Sequence, residues 1–225
     1  MNRTKLALFT MALSAFAPVA AHASFLAGTT LTSPGSSVFP GNATGDPAGM
    51  LLASNAAPYS FSTTGGTTSG TLTSAVFRNP SGTLDFYYQV ANAANSASAI
   101  ARESNTNFAG FITYTGYRTD GPAVGAPFQS GSVPPITADS TGNVIGFQFT
   151  PPNGAKVTAG TISNILVIST NATAYVLGNA AVIDGGTQTV SAFQPTGSVP
   201  EPVSMLLMGT GLLALAGVRR FKKSA

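Results

Sequence analysis

Apolar and polar residues alternate along several stretches in the middle of the chain. In residues 84–91, Leu84, Phe86 and Tyr88 occupy every second position, with polar or small residues between most of them. A period of two is typical of a β-strand that buries one face and exposes the other. Residues 144–150 repeat the pattern. The alternation therefore predicts half-buried strands in both segments, each with one wet face.

Other segments predict strands for different reasons. Residues 165–168 form a continuous, mostly β-branched apolar run, which is typical of a strand buried on both faces. Residues 175–183 and 187–193 flank an Asp-Gly-Gly turn sequence, which predicts a β-hairpin. Two further strands are predicted at residues 71–78 and 108–117.

The number and spacing of these segments indicate the fold class. Residues 91–101 mix alanines with Asn and Ser, whose side chains compete for backbone hydrogen bonds, so we expect a loop there. Seven or more short strands separated by Gly, Pro, Asn and Ser predict an all-β fold. The expected architecture is an antiparallel β-sandwich, jelly-roll or immunoglobulin-like, over residues 24–190. Residues 191–199 are predicted to be a linker.

The first 23 residues have a different pattern. Two basic residues near the N-terminus precede the apolar residues 6–17, and the small residues Ala21 and Ala23 come just before Ser24. This order is typical of a cleaved signal peptide. We therefore expect export through the Sec translocon and removal of residues 1–23 by signal peptidase.

The C-terminal end predicts a short membrane helix. Residues 203–218 carry no charge and as an α-helix reach about 24 Å, less than the ~30 Å hydrocarbon core. The basic residues in 219–225 can extend to the headgroups on the cytoplasmic side. Pro200 and Pro202 keep the preceding segment extended. A core helix of a soluble domain is the alternative, but such a helix rarely lacks a polar face.

The order Pro200-Glu201-Pro202, apolar helix 203–218 and basic tail 219–225 resembles the PEP-CTERM sorting signal of bacteria that make exopolysaccharide. The resemblance implies recognition of these three residues by a membrane-embedded exosortase, with removal of the helix nearby. It also implies transient anchoring in the inner membrane, followed by delivery to the cell surface or extracellular matrix. More loosely, residues 147–170 resemble the β-sandwich ectodomains that precede such tails.

The composition limits the kinds of binding and catalytic site that the chain can form. The formal net charge of +3 comes from the two ends, because residues 24–199 contain two more acidic than basic residues. We therefore expect no nucleic-acid binding. The chain has no cysteine, and its one histidine, His22, lies in the signal peptide. Nucleophilic sites built on His or Cys are thus excluded, and we predict no catalytic residues, no metal site and no cofactor.

A glycan-binding site is the main candidate for chemistry. On the face of residues 84–91 that the alternation predicts to be wet, Tyr87 lies between Asp85 and Gln89, and Tyr114 or Tyr117 could add a second ring. An aromatic ring flanked by a carboxylate and an amide suits a sugar face. The plainer alternative is that Tyr87 packs under a loop.

A calcium loop is a weaker candidate. Asp139, Thr141 and Asn143 place oxygens at alternate positions, as in the first half of such a loop. The sixth and twelfth positions, Val144 and Thr150, do not fit. An Asx-type turn is the alternative.

The sequence therefore predicts an exported structural or adhesive protein associated with exopolysaccharide or biofilm. A carbohydrate-binding module is the first alternative. A polysaccharide hydrolase that uses Asp85, Glu103 or Asp120 is the second.

Overall fold

The computed structural model describes residues 30–31, 35–44, 48–125, 127–150 and 155–197, and this part of the chain is almost entirely β. The prediction of an all-β antiparallel sandwich is confirmed. The elements in chain order are β1 (Thr30–Leu31), β2 (Ser37–Val38), β3 (Gly41–Asn42), β4 (Met50–Thr63), β5 (Gly66–Arg78), β6 (Leu84–Asn92), β7 (Arg102–Asn105), β8 (Thr113–Arg118), α1 (Gly121–Val124), β9 (Thr137–Ser140), β10 (Ile145–Gln148), β11 (Ile165–Thr170), β12 (Ala174–Ile183) and β13 (Thr187–Thr196).

These strands form two sheets. The first has the order β1-β8-β11-β6-β5-β4, and β3 adds to β8 in parallel; the second has the order β13-β12-β7-β10-β9-β2. Strands β4, β5 and β6 form a meander, after which the chain crosses repeatedly between the sheets. Neighbours such as β6 and β11 are therefore far apart in sequence.

The main hydrophobic core lies between the sheets. Alternate side chains of both sheets meet there, which is the packing expected of a sandwich. The first sheet contributes Leu72, Val76, Phe86, Tyr88, Leu166 and Ile168, and the second contributes Ala138, Ile145, Phe147, Val182, Val190 and Ala192. With no cysteine in the chain, this core has to hold the domain without disulfides.

A second, smaller cluster covers the outer face of the first sheet. It contains Ala75, Phe77, Tyr87, Val124, Phe128, Ile165 and Val167. We call residues 121–125 and 127–129 the covering segment, because Val124 and Phe128 lie over this face. Strands β6 and β11 are consequently buried on both sides. The prediction for 165–168 is confirmed, whereas the wet face predicted for 84–91 is wrong.

The structure also tests the predicted hairpin, loop and linker. The hairpin predicted around the Asp-Gly-Gly turn is present, with Ile183 opposite Thr187. The loop predicted at 91–101 lies between β6 and β7, although β6 extends to Asn92. The linker prediction for 191–199 is wrong up to Thr196, because β13 continues to that residue. Strand β4 was not predicted at all.

Candidate functional site

Asp85 lies buried on the outer face of the first sheet. Its Oδ1 accepts hydrogen bonds from Ser169 Oγ at 2.7 Å and from Asn79 Nδ2 at 3.2 Å. Its Oδ2 has no hydrogen-bond partner among the described residues. Burial raises the pKa of this carboxyl from 3.8 to about 6, although Ser169, Asn79 and Arg118 lower it in part. Asp85 is therefore an internal acid rather than a surface ligand.

Tyr87 is a packing residue. Its side chain is 0% exposed, and its ring centroid lies 4.6 Å from that of Phe77 and 6.2 Å from that of Phe128. The Arg118 guanidinium lies 5.9 Å from the ring centroid. That guanidinium donates to both carboxylate oxygens of Asp120, at 3.0 and 2.7 Å. No face of the ring is open for a sugar to stack on.

Gln89 fastens the covering segment to the sheet. Its Nε2 donates to the carbonyl oxygens of Gln129 at 2.7 Å and Ser163 at 3.0 Å, and its Oε1 accepts from the Gln129 N–H at 3.0 Å. The segment folds back tightly on itself, because a Cβ at Gly121 would lie 1.9 Å from the Gln129 carbonyl oxygen. A larger residue at position 121 would displace this backbone.

The predicted glycan-binding residues Asp85, Tyr87 and Gln89 thus share one face of β6, but that face is internal. The physical reason is the cover from residues distant in sequence, which alternation along β6 cannot reveal. The two candidate second rings, Tyr114 and Tyr117, lie on β8, and β11 separates that strand from β6. The surface site that the sequence predicted is not present.

Glu103 is buried on the core side of the second sheet. Its Oε2 accepts a hydrogen bond from Asn105 Nδ2 at 2.8 Å. Its charge would lie near Tyr88, whose hydroxyl donates to the Phe193 carbonyl oxygen at 2.6 Å. Burial raises the pKa of Glu103 from 4.5 to about 8. Glu103 therefore faces the core between the sheets, whereas Asp85 lies on the outer face of the first sheet, so the two carboxyl groups do not share one site.

Asp139 is held in an ion pair rather than in a calcium loop. Arg102 Nη1 and Nη2 lie 2.5 and 2.7 Å from its two carboxylate oxygens. The predicted ligands that follow, Thr141 and Asn143, lie in the turn between β9 and β10, where the Thr141 N–H donates to the Val144 carbonyl oxygen. No group of three or more metal-ligating side chains occurs among the described residues.

The other charged side chains leave little net charge on the surface. Lys156 Nζ pairs with Asp184 at 2.5 Å. Among the described residues, the three ion pairs and the two buried acids account for every charged side chain except Arg78, which is exposed at the end of β5. The rest of the described surface is neutral.

A shallow cleft lies between the loop before β8 and the β9–β10 turn. No charged side chain lines it. Its walls are Leu31, Phe108, Ala109, Gly110, Phe111, Ile112, Thr113, Ser140, Gly142 and Ile145. The cleft offers apolar contact and backbone groups, but no acid or base.

The two terminal segments carry the remaining predicted site residues. The signal peptide with Ala21, Ala23 and Ser24, the Pro200-Glu201-Pro202 motif and the helix 203–218 lie outside the described residues. Within the described part of the chain, no helix is long and apolar enough to cross a membrane. Strand β13 ends at Thr196 beside Ala174, so the chain continues toward the motif from that end of the sandwich.

Comparison with known proteins identifies the C-terminal segment. A family model described as the PEP-CTERM protein-sorting motif matches residues 198–220. No curated protein and no solved structure matches the chain. The matched span includes Pro200-Glu201-Pro202, the whole apolar run and two of the basic residues that follow it. The chain therefore carries a PEP-CTERM sorting motif and is an exported protein, targeted to an exosortase and anchored transiently in a membrane.

Proposed function

We propose that this protein is a structural or adhesive component of the cell surface or extracellular matrix, associated with exopolysaccharide in a biofilm. The sorting motif supports export and exosortase processing. The observation that carries the finer proposal is the neutral surface of the sandwich. In this role the exported domain contributes contacts to a hydrated polymer and performs no reaction.

A neutral polar surface suits contact with polysaccharide. Exposed positions of β4 include Ser54, Ser60 and Ser62, and the β4–β5 turn adds Thr64. Such hydroxyl groups exchange hydrogen bonds with sugar hydroxyls and water at similar cost. Because few unpaired charges are involved, dissolved salt screens these contacts little. The surface chemistry thus favours many weak contacts over one specific site.

The positions of the acids support a non-enzymatic role. A glycosidase needs two carboxyl groups that reach one sugar bond. Here Asp85 and Glu103 are buried in separate places, and Asp120 is held by Arg118. The carbohydrate-binding alternative has lost the site predicted for it on β6.

The test is deletion of the gene, with complementation by the full chain or by a Glu201→Ala variant. We expect deletion to reduce biofilm cohesion under shear and the full chain to restore it. The Glu201→Ala variant should leave the protein in the membrane fraction and fail to restore cohesion. A tag in the exposed β4–β5 turn follows the protein, and mass spectrometry of its C-terminus locates the cut.

Unchanged cohesion after deletion would overturn the structural role. A polysaccharide-degrading activity that disappears in an Asp85→Asn or Glu103→Gln variant would favour the hydrolase alternative.

A further inference from the structure

Exposed apolar side chains collect at one end of the sandwich. Six large hydrophobic residues of the described chain are exposed, and five of them lie at this end. We call these five the basal patch, which consists of Met50 (59% exposed), Leu51 (42%), Ile112 (45%), Val176 (42%) and Leu177 (50%). Phe39, the sixth, lies elsewhere, next to the pair formed by Val38 and Ala138. Single exposed apolar residues need no explanation, but five of them near the same end of one domain do.

Strand register brings the members of the basal patch to one end of the sandwich from three parts of the chain. Met50 lies opposite Arg78, which in turn lies opposite Leu84. The Leu84 N–H donates to the Ala172 carbonyl oxygen, two residues before β12 begins.

The remaining members join through the neighbouring loops. The Ile112 N–H donates to Asn171 Oδ1 at 3.0 Å. Val176 and Leu177 follow in β12, opposite Gln194 and Phe193 near the end of β13. The patch therefore occupies the end of the domain at which the described chain stops.

The chain reaches the membrane from this same end. Thr196, the last residue of β13, lies opposite Ala174. Six residues, 197–202, separate Thr196 from the start of the apolar run at 203, and the seven steps from 196 to 203 span at most about 25 Å when fully extended. Headgroups occupy several ångströms on each side of the hydrocarbon core. While the anchor is in place, the base of the domain is thus kept beside the bilayer.

The exposed charge at this end of the domain is positive, which favours contact with anionic phospholipid headgroups. Four of the loops and strand ends around the patch, residues 78–84, 107–113, 141–144 and 171–177, contain no Asp or Glu; the loop before β4 contains Asp46, which lies outside the described residues. Arg78 is exposed there and has no ion-pair partner among the described residues. An exposed cation beside apolar side chains matches anionic headgroups above a hydrocarbon layer.

From these observations we infer that the basal patch docks on the outer surface of the phospholipid bilayer while the C-terminal anchor holds the protein. The apolar side chains enter the interface, and Arg78 pairs with lipid phosphate. This contact fixes the orientation of the sandwich, so that the segment carrying Pro200-Glu201-Pro202 leaves it at the level of the headgroups. Docking depends on the membrane anchor but not on the proposed matrix role.

The experiment uses the full chain in vesicles of phosphatidylethanolamine and phosphatidylglycerol. Because the chain contains no cysteine, Leu177→Cys gives one labelling site for an environment-sensitive fluorophore. The matched control is Thr64→Cys in the β4–β5 turn. That turn lies at the far end of β5, roughly 40 Å from Arg78 at about 3.3 Å per residue. Both positions are exposed, so neither substitution disturbs the core.

Nitroxide groups on the lipid near the headgroup should quench most of the fluorescence at position 177 and leave that at position 64 unchanged. An Ile112→Cys variant should behave like Leu177→Cys, and Arg78→Gln should reduce quenching at both patch positions.

Equal quenching at 177 and 64 would overturn the inference. It would also be overturned if fluorescence at 177 responded to the ratio of protein to lipid but not to nitroxide, since that result indicates contact between two copies.

Discussion

Glu103 shows how one buried acid sets the pH response of the domain. Its Oε1 has no hydrogen-bond partner among the described residues, and burial raises its pKa from 4.5 to about 8. Between these values the folded protein holds a proton that the unfolded chain releases. The free energy of unfolding therefore falls as the pH rises through this window. Above pH 8 the buried carboxyl is ionised, and the folded protein is destabilised by the full amount.

We predict that Glu103→Gln abolishes this pH dependence. From pH 6 to pH 8, the free energy of unfolding of the unmodified protein should fall by about 1.4 kcal/mol per pH unit, because one proton is released on unfolding. In Glu103→Gln this slope should be near zero, with the variant more stable at pH 8. Urea denaturation at several pH values provides the measurement.

Asp85→Asn is the control for that prediction. The Asp85 pKa is raised only to about 6, so most of its effect on stability lies below pH 6 and the remainder is complete by about pH 7. The slope from pH 6 to pH 8 should therefore persist in Asp85→Asn. A Glu103→Gln variant that kept the slope would show that the charge is accommodated in some other way.

At the scale of elements, the covering segment determines which strands are internal. Two hydrogen bonds between the Gln89 amide and the Gln129 backbone hold it against β6. The Tyr87 ring lies beneath, in contact with Phe128. The segment thereby buries the second face of β6, which would otherwise be a half-buried strand.

We predict that Gln89→Ala loosens the covering segment. The change removes the hydrogen bonds to the partly exposed Gln129 backbone and leaves the buried Ser163 carbonyl oxygen without this donor, which should cost about 1–3 kcal/mol of unfolding free energy. Hydrogen exchange should rise in residues 121–129 before it rises in β12 or β13. Gln188→Ala removes only a local bond to Thr189, and it should change neither quantity. Equal protection of 121–129 in both variants would argue against the fastening role.

The sequence could predict strands where large apolar residues alternate or form an unbroken run, but not what covers them. Segment 84–91 was identified by its regularly spaced large side chains, and segment 165–168 by its continuous run of apolar residues. Strand β4 was missed because its residues include many Ala and Ser, which give almost no periodic signal. Its strand conformation comes from thirteen paired positions along β5, a tertiary constraint.

The same limit explains the incorrect glycan site. Asp85, Tyr87 and Gln89 were correctly placed on one face of a strand. Their burial depends on Val124, Phe128 and a partner strand, β11, that begins more than seventy residues later in the chain. The one available indication was Tyr87 itself, since an aromatic side chain on a supposedly wet face also fits packing beneath a loop.

At the scale of the whole molecule, the described surface carries little net charge, because all of its charged side chains except Arg78 are paired or buried. Long-range attraction to charged polymers is then weak, and contacts depend on hydrogen bonds and shape. This property distinguishes the protein from surface proteins that bind through basic patches.

We predict that association with the biofilm matrix resists salt. Washing with about 1 M NaCl, which reduces the screening length to about 3 Å, should leave the protein in the matrix fraction. A variant with Ser60→Lys and Ser62→Lys places two cations on exposed positions of β4 and is the matched control. Retention of this variant should depend on salt if the polymer is anionic. Release of the unmodified protein by salt would contradict the neutral-surface account.

Strand β13 is the last strand of the sandwich in the chain and lies only a few residues before the apolar run, so its position bears on when the domain can fold. This last strand supplies Val190 and Ala192 to the core, and the Phe193 carbonyl oxygen accepts the hydrogen bond that the Tyr88 hydroxyl donates. We therefore expect the sandwich to close only after Thr196 has been exported, and the apolar run follows within a few residues. Folding would then coincide with arrest in the membrane, and an exosortase would meet a finished domain rather than a nascent chain.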